Sequence, residues 1–510
     1  MKKTLTISQQ RLTIEDIVDL SQQRVSLALS TDAAFQQRIK KGADFLDRLL
    51  ETEGEIYGVT TGYGDSVTRQ VSRDLIEQLP VNLLRFHGCG LGEHFDLETS
   101  RAIMAARLAS LSRGYSGVTP ALLQQLASML EHDIIPLIPQ EGSVGASGDL
   151  TPLSYVAAAM IGERDVYFRG QVRPSAEALA ECGLAPLRLR PKEGLAMMNG
   201  TAVMTALACL AFKRAQYLSR LCTRTTALAA IALKSNLHHF DEDLFKAKPH
   251  PGLQRIAALI RADLMPQQNQ AERLQDRYSI RCAPHVIGVL EDSMEHFRAV
   301  IENELNSAND NPLLDPDKEK LLHGGHFYGG HIAHVMDTLK TQVANLADLM
   351  DRQLALLVDT RYNNGMTSNL SLPDPSRASI NHGFKAVQIG VSAWTAEALH
   401  NCMPASVFSR STECHNQDKV SMGTIAARSC IRVIELVEQV QAAMVLATTQ
   451  AIAVRRQVEP GISLPIGLDA HGFVETVEAD FALVGEDRPL EPDLRRFVAH
   501  IRDQRWTLPA

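Results

Sequence analysis

From Ile332 onward, apolar side chains fall at Val335, Met336, Leu339, Val343, Leu346, Met350, Leu354 and Leu357. Steps of three and four put them on one face of a long helix. Residues 285–307, 384–400 and 423–455 carry the same spacing, so a mainly α fold is expected, with long antiparallel helices packed as a bundle. The first fifty residues also read as helical, with breaks at Thr13 and at Ser30-Thr31, whose side-chain oxygens can cap the next helix. Strand-like alternation is rare, although Asp165-Val166-Tyr167-Phe168 ahead of Arg169-Gly170 predicts a small hairpin. The most apolar long stretch, Leu195 to Phe212, contains Asn199, Gly200, Thr201 and Thr205 and reads as a buried helix, not a membrane span. This pattern divides the chain into an N-terminal helix-and-loop region (1–195), a central bundle (196–457) and a C-terminal extension (458–510). The extension is richer in proline and acidic residues and is expected to pack loosely.

Three glycine-rich loops interrupt the helices. They are residues 54–68, with Gly54, Gly58, Gly62 and Gly64; residues 87–92, with Gly88, Gly90 and Gly92; and residues 141–148. Together they suggest a site assembled from several parts of the chain. Hydrophobic residues make up 45% of the 510 and charged residues 22%, which excludes a disordered or collagen-like chain. Lys and Arg number 51 against 59 Asp and Glu, a net charge of -8, and aromatics are only 5%. Without a basic surplus or a stacking surface, nucleic acid is not an expected partner. Met1 to Ile7 begins like a signal peptide, but Ser8, Gln9, Gln10 and Arg11 interrupt it, and no membrane partner is expected. Eight cysteines without a Cys-x-x-Cys pair argue against disulfides or a thiolate zinc site and favour a reducing cytoplasm. His323, His326, His331 and His334 cluster in sequence, yet no carboxylate lies between them and two Gly-Gly pairs loosen the spacing, so no metal is expected. The Gly88–Gly92 run lacks the full spacing of a nucleotide-binding loop.

The sharpest chemical signal is Gly142-Ser143-Val144-Gly145-Ala146-Ser147-Gly148-Asp149-Leu150-Thr151-Pro152-Leu153-Ser154. A tight loop with Asp149 or Thr151 capping a helix would explain part of it. The order Ala146-Ser147-Gly148 allows more. In a compressed backbone the Gly148 nitrogen can attack the Ala146 carbonyl, with glycine minimising hindrance. Loss of water from the ring, and then of the Ser147 hydroxyl as water, leaves an exocyclic methylidene on an imidazolone, which is a strong electrophile. This segment resembles the signature of the aromatic amino-acid ammonia-lyase family, which comprises the histidine, phenylalanine and tyrosine ammonia-lyases and related aminomutases. The resemblance extends over roughly residues 54 to 455. It implies a 4-methylidene-imidazol-5-one (MIO) group made from Ala146-Ser147-Gly148, no external cofactor, and a mainly helical homotetramer in which three subunits complete each site.

The resemblance also implies roles for other residues. Tyr57, in Ile-Tyr-Gly-Val-Thr-Thr-Gly-Tyr-Gly, is similar to the lid tyrosine that removes the substrate β-proton. A phenol with an ordinary pKa of about 10 needs help to act as a base near neutrality. Asn199, in Glu193-Gly-Leu-Ala-Met-Met-Asn-Gly-Thr, resembles the residue that binds the MIO carbonyl, where donors would accommodate developing negative charge. In Gln275-Asp276-Arg277-Tyr278-Ser279-Ile280-Arg281, the Arg281 fork suits the substrate carboxylate, and Tyr278 corresponds to the tyrosine beside the MIO and the amine. Asn311, in Asn309-Asp310-Asn311-Pro312, would help hold that carboxylate, and Phe327 would wall the pocket. His285 and His326 depart from the family pattern.

Substrate preference rests on two further places. Phe86-His87 occupies the position of the family's selectivity pair and is a hybrid of its usual forms. Asn416-Gln417-Asp418 matches phenylalanine and tyrosine enzymes and lacks the glutamate with which histidine enzymes meet the imidazole. His87 favours a polar ring that it can hydrogen-bond. The expectation is therefore deamination of an aromatic L-amino acid, tyrosine favoured, to an arylacrylate and ammonia. Histidine ammonia-lyase or 2,3-aminomutase activity is the alternative, and a non-catalytic homologue is a more distant one.

Overall fold

The computed structural model describes residues 2–52, 55–265, 269, 271, 273–372 and 374–509; Gly54 of the first glycine-rich loop lies outside them. The described chain is mainly helical and separates into two compact units. The first comprises residues 1–213, 298–337 and 404–428, and the second 214–297, 338–403 and 429–510. These interleaved segments do not follow boundaries at 195/196 and 457/458, because single long helices contribute residues to both units.

Within the first unit, Thr13 caps helix Ile14–Ser21 with the reciprocal Thr13/Asp16 bonds of a capping box, as its hydroxyl suggested. Helix Leu97–Leu111 is buried along almost its whole length. Phe45, Leu46, Leu49, Ile56, Val59 and Leu314 form one core cluster. The expected hairpin is present: Asp165–Phe168 pairs antiparallel with Gln171–Pro174 through Arg169 and Gly170, both at positive φ. A parallel pair, Thr4–Ile7 with Ser26–Leu29, was not apparent from the helical pattern of the first fifty residues.

The stretch Leu195 to Phe212 is not one helix. Helix Glu193–Met198 ends, Asn199 and Gly200 adopt extended and positive-φ backbone, and helix Ala202–Ala232 begins. Gly200 (φ 147) lies against the Arg107 and Asn309 side chains with no room for a Cβ, so the break is built in by close packing.

In the second unit, portions of five long helices pack together: Ala202–Ala232, Ala283–Leu305, Gly330–Val358, Lys385–His400 and Gly423–Val458. Their buried polar side chains record how they run. Ser293 and Ser279 meet Gln342 and Gln353, and Asp351 and Ala347 meet Ser392 and Thr395, so sequence neighbours are antiparallel. Alternation along the chain makes the fifth long helix parallel to the first, and their contacts agree. Thr225 bonds Gln441 and the Ala232 carbonyl bonds Arg455, so Gly423–Val458 runs parallel to Ala202–Ala232. The C-terminal extension is also better packed than its composition suggested. Helices Leu468–Glu478 and Glu491–Arg502 bury Phe473, Val477, Phe497 and Ile501, and Trp506 stacks on Phe497 and meets Phe473 edge-on.

Candidate active site

Asp149 organises the glycine-rich loop. It is fully buried and its carboxylate accepts from Ser143 Oγ (3.1 Å), from the backbone N–H groups of Val203 and Met204 (3.0 Å each), and from Thr424 Oγ. The amides belong to the first turn of helix Ala202–Ala232, whose positive dipole end suits a carboxylate. Burial still raises its pKa to about 6, against the pull of those hydrogen bonds. On either side of it the backbone is fastened too. Asp149 N–H donates to Gly200 O (2.8 Å), and Gly200 N–H donates to Ser147 O (3.3 Å). Gly148 has φ 71, and a Cβ there would overlap the Gly200 carbonyl. Gly145, also at positive φ, has its carbonyl held by Ser421.

These ties leave Ala146 and Ser147 in the wall of a cavity of ≈ 660 Å³. Its walls include Tyr57, Phe86, His87, Asn199, Asn311, Phe327, Asn416 and Gln417, so eight separately expected residues converge with the triplet. Ser147 Oγ accepts from Gln417 Nε2 at 3.3 Å. Asn199 Nδ2 donates to Asn311 O (3.0 Å), while its buried Oδ1 has no hydrogen-bonding partner among the described residues. Such an orphan costs about 1–3 kcal/mol. The residues fit an MIO group at this position: a triplet without Cβ at its third residue, a donor on Ser147, and the Asn199 side-chain amide in the same wall.

Beneath Asn199, Arg107 is fully buried and donates to the carbonyls of Ala196 and Asn199 and to Asn309 Oδ1. Lys192 and Asp310 form a buried pair at 2.6 Å, and Asp310 also accepts from Asn311 N–H. Burial lowers the pKa values of Arg107, to about 10, and of Lys192, while Asp310 opposes both shifts. This ionic layer fixes the backbone that presents Asn199 and Asn311. Arg107 is one of two arginines in helix Leu97–Leu111, and nothing in the sequence separates its role from that of Arg101.

His87 has a defined tautomer. Its Nδ1 lies 3.0 Å from Leu83 O, an atom that can only accept, so Nδ1 carries the hydrogen. Burial holds the imidazole below its ordinary pKa, leaving a neutral ring whose Nε2 is an acceptor. Tyr57 Oη accepts from Gly64 N–H at 2.9 Å. Burial nevertheless raises its pKa, and the Glu413 charge adds to the rise, so the Gly64 hydrogen bond, which pulls the other way, is outweighed. Glu413, also in the cavity wall, was not singled out by sequence: an acidic residue in a polar run carries no signal.

Gln275, Tyr278 and Arg281 belong to the second unit, and this cavity is walled by the first alone. Arg281 Nε donates to Asp276 O, its guanidinium lies 4.7 Å from the Tyr278 ring centroid, and it borders a separate cavity with His239, Phe245, Cys282 and His285. Among the described residues, no group of three or more His, Cys, Asp or Glu could hold a metal ion.

Comparison with known proteins agrees with this geometry. The family model for aromatic amino acid lyases matches residues 12–476. Histidine ammonia-lyase from Gloeobacter violaceus is 36% identical over 497 residues, 96% of this chain and 94% of that protein. Among solved structures, tyrosine aminomutase from Streptomyces globisporus is similar with a TM-score of 0.91 and 32% identity, covering 98% of this chain and 97% of that one. Histidine ammonia-lyase from Trypanosoma cruzi gives a TM-score of 0.89 at 29% identity, covering 98% and 94%. A glycine-pinned Ala-Ser-Gly in a cavity wall and a family match over most of its length lead to one conclusion: the chain belongs to the aromatic amino acid lyase family and is a carbon–nitrogen lyase.

Proposed function

We propose that this enzyme removes ammonia from an aromatic L-amino acid whose ring carries a hydrogen-bond donor, with histidine as the first substrate and urocanate as its product. The observation that carries the reading is the Ala146-Ser147-Gly148 triplet in the cavity wall, with Gln417 on Ser147 and His87 in the same wall. The names of the relatives move the weight from tyrosine to histidine. His87 supports either ring, since an Nε2 acceptor suits an imidazole N–H as well as a phenol O–H. Tyrosine remains the second reading because position 417 is glutamine and because a structural neighbour is a tyrosine aminomutase.

An MIO group formed from the triplet supplies an electrophile that makes the substrate amine a better leaving group. The chain's own residues do the rest. Asn311, whose Oδ1 is held by Gly324 N–H at 2.8 Å, leaves its amide nitrogen for the substrate carboxylate. Phe86 and Phe327 confine the ring, and Tyr57 takes the β-proton. Gln275, Tyr278 and Arg281 come from neighbouring copies in a homotetramer, with Arg281 pairing the carboxylate. In support, Tyr278 is 71% and Leu274 84% exposed in the single chain, more than such side chains ordinarily leave to water. A cytoplasmic setting accords with eight cysteines of which none is in a disulfide. No helix among the described residues is long and apolar enough to cross a membrane.

Purified enzyme offered His, Tyr and Phe separately, with acrylate absorbance and ammonia both measured, tests the reading. Urocanate from histidine is expected; a β-amino acid without ammonia would make the enzyme a mutase, and turnover of tyrosine alone would reverse the substrate order. His87→Leu should lower kcat/KM for the polar substrate about 10- to 100-fold, the loss of one buried hydrogen bond at about 1–3 kcal/mol. Most of that change is expected in KM, because the bond forms in the ground state.

A further inference from the structure

Residues 413–415 are three successive non-glycine residues in left-handed backbone, with φ values of 52, 54 and 66° at Glu413, Cys414 and His415. Such a run is uncommon and persists only where the surroundings hold it. It carries the Glu413 side chain to the Tyr57 loop. Both Glu413 carboxylate oxygens accept from Asp65 N–H, at 2.9 and 3.0 Å. The preceding amide, Gly64 N–H, donates to Tyr57 Oη. Two consecutive amides at the start of the short helix Gly64–Thr68 thus engage the Glu413 carboxylate and the Tyr57 oxygen. Gly64 has φ 58, and any Cβ there would overlap the Glu413 carboxyl group, so the position admits the carboxylate only while it is glycine.

We propose that Glu413 is a positioning residue: by clamping the Asp65 amide it fixes the Gly64 amide against the Tyr57 oxygen and holds the loop carrying the base over the cavity. The proposal rests on Tyr57 as the proton acceptor. In this role Glu413 acts through the loop, by its bonds to Asp65 N–H. Its charge has a second effect, since it opposes ionisation of Tyr57. The other ionisable groups on the cavity walls are Tyr63, whose phenol burial pushes up, neutral His87, and Asp418 and Lys419 from the segment of Glu413 itself.

Full-length wild type, Glu413→Ala, Glu413→Gln and Tyr57→Phe are compared by hydrogen exchange over residues 57–70 and by kcat against pH. Glu413→Ala should speed exchange in that segment and lower kcat about 10- to 100-fold with a smaller change in KM, as expected of a misplaced base. Glu413→Gln keeps an acceptor for Asp65 N–H, so exchange should stay near wild type. With the negative charge gone, Tyr57 ionises more easily, and the alkaline rise of kcat should move to lower pH. Wild-type exchange and wild-type kcat in Glu413→Ala would overturn the clamp, and an unmoved pH profile in Glu413→Gln would overturn the effect of its charge on Tyr57. Full activity in Tyr57→Phe would instead remove the base assignment, while the exchange measurement would still decide whether Glu413 holds the loop.

Discussion

Ser147→Ala is expected to leave a folded enzyme that has lost at least about 10³-fold in kcat, equivalent to about 4 kcal/mol of transition-state stabilisation. The Ser147 side chain makes one hydrogen bond, from Gln417 at 3.3 Å, and is only half-buried, so its removal opens no cavity. The fastenings of the loop run through Ser143, Gly145, Asp149 and the Ser147 backbone carbonyl, none of which the substitution alters. In the proposed MIO group, however, its hydroxyl is the oxygen whose loss as water creates the methylidene. Intact mass should show wild type lighter than its sequence by two waters and the variant without that full loss, at nearly equal unfolding midpoints. A variant that turned over normally would contradict the assignment of the triplet.

Gly148→Ala should fail at an earlier step and for a different reason. Gly148 has φ 71, which costs a residue with a Cβ about 1–2 kcal/mol, and that Cβ would overlap the Gly200 carbonyl. The carbonyl is also the acceptor for Asp149 N–H, so moving it loosens the link between the loop and the start of helix Ala202–Ala232. The added methyl would further hinder the Gly148 nitrogen as a nucleophile. The expected variant has a lower unfolding midpoint, the unreduced mass and no measurable turnover. Calorimetry separates it from Ser147→Ala, which should lose activity with its stability retained.

The long helices were legible because their burial is one-sided: Val335, Met336, Leu339 and Val343 are all buried, as steps of three and four require. Which non-neighbouring helices touch was not: the contacts Arg214–Glu438, Thr225–Gln441 and Ala232–Arg455 set the fifth long helix beside the first. In the site, the triplet, Tyr57, Asn199, Asn311 and Gln417 were legible from motifs, whereas Glu413 became visible only through its bonds to Asp65. Asp149 shows the difference well. Its side chain was expected to cap a helix, and it does, but not the adjoining helix Leu150–Met160. It caps one that begins more than fifty residues later, a partner that local spacing cannot disclose. Tyr57 is similar: its position in the motif was readable, but the burial that raises its pKa depends on what folds around it.

The partners of Asp149 bear on when the reactive centre can arise. Ser143 is six positions away, Val203 and Met204 are 54 and 55, and Thr424 is 275. No nascent or denatured polypeptide can hold all of them at once, so the bent tripeptide exists only after distant stretches have met. The proposed cyclisation would thereby be confined to chains that have already reached their native arrangement. A half-made molecule would then carry no reactive alkene to be scavenged by thiols and amines, and the dehydrated mass would be a record that folding was completed.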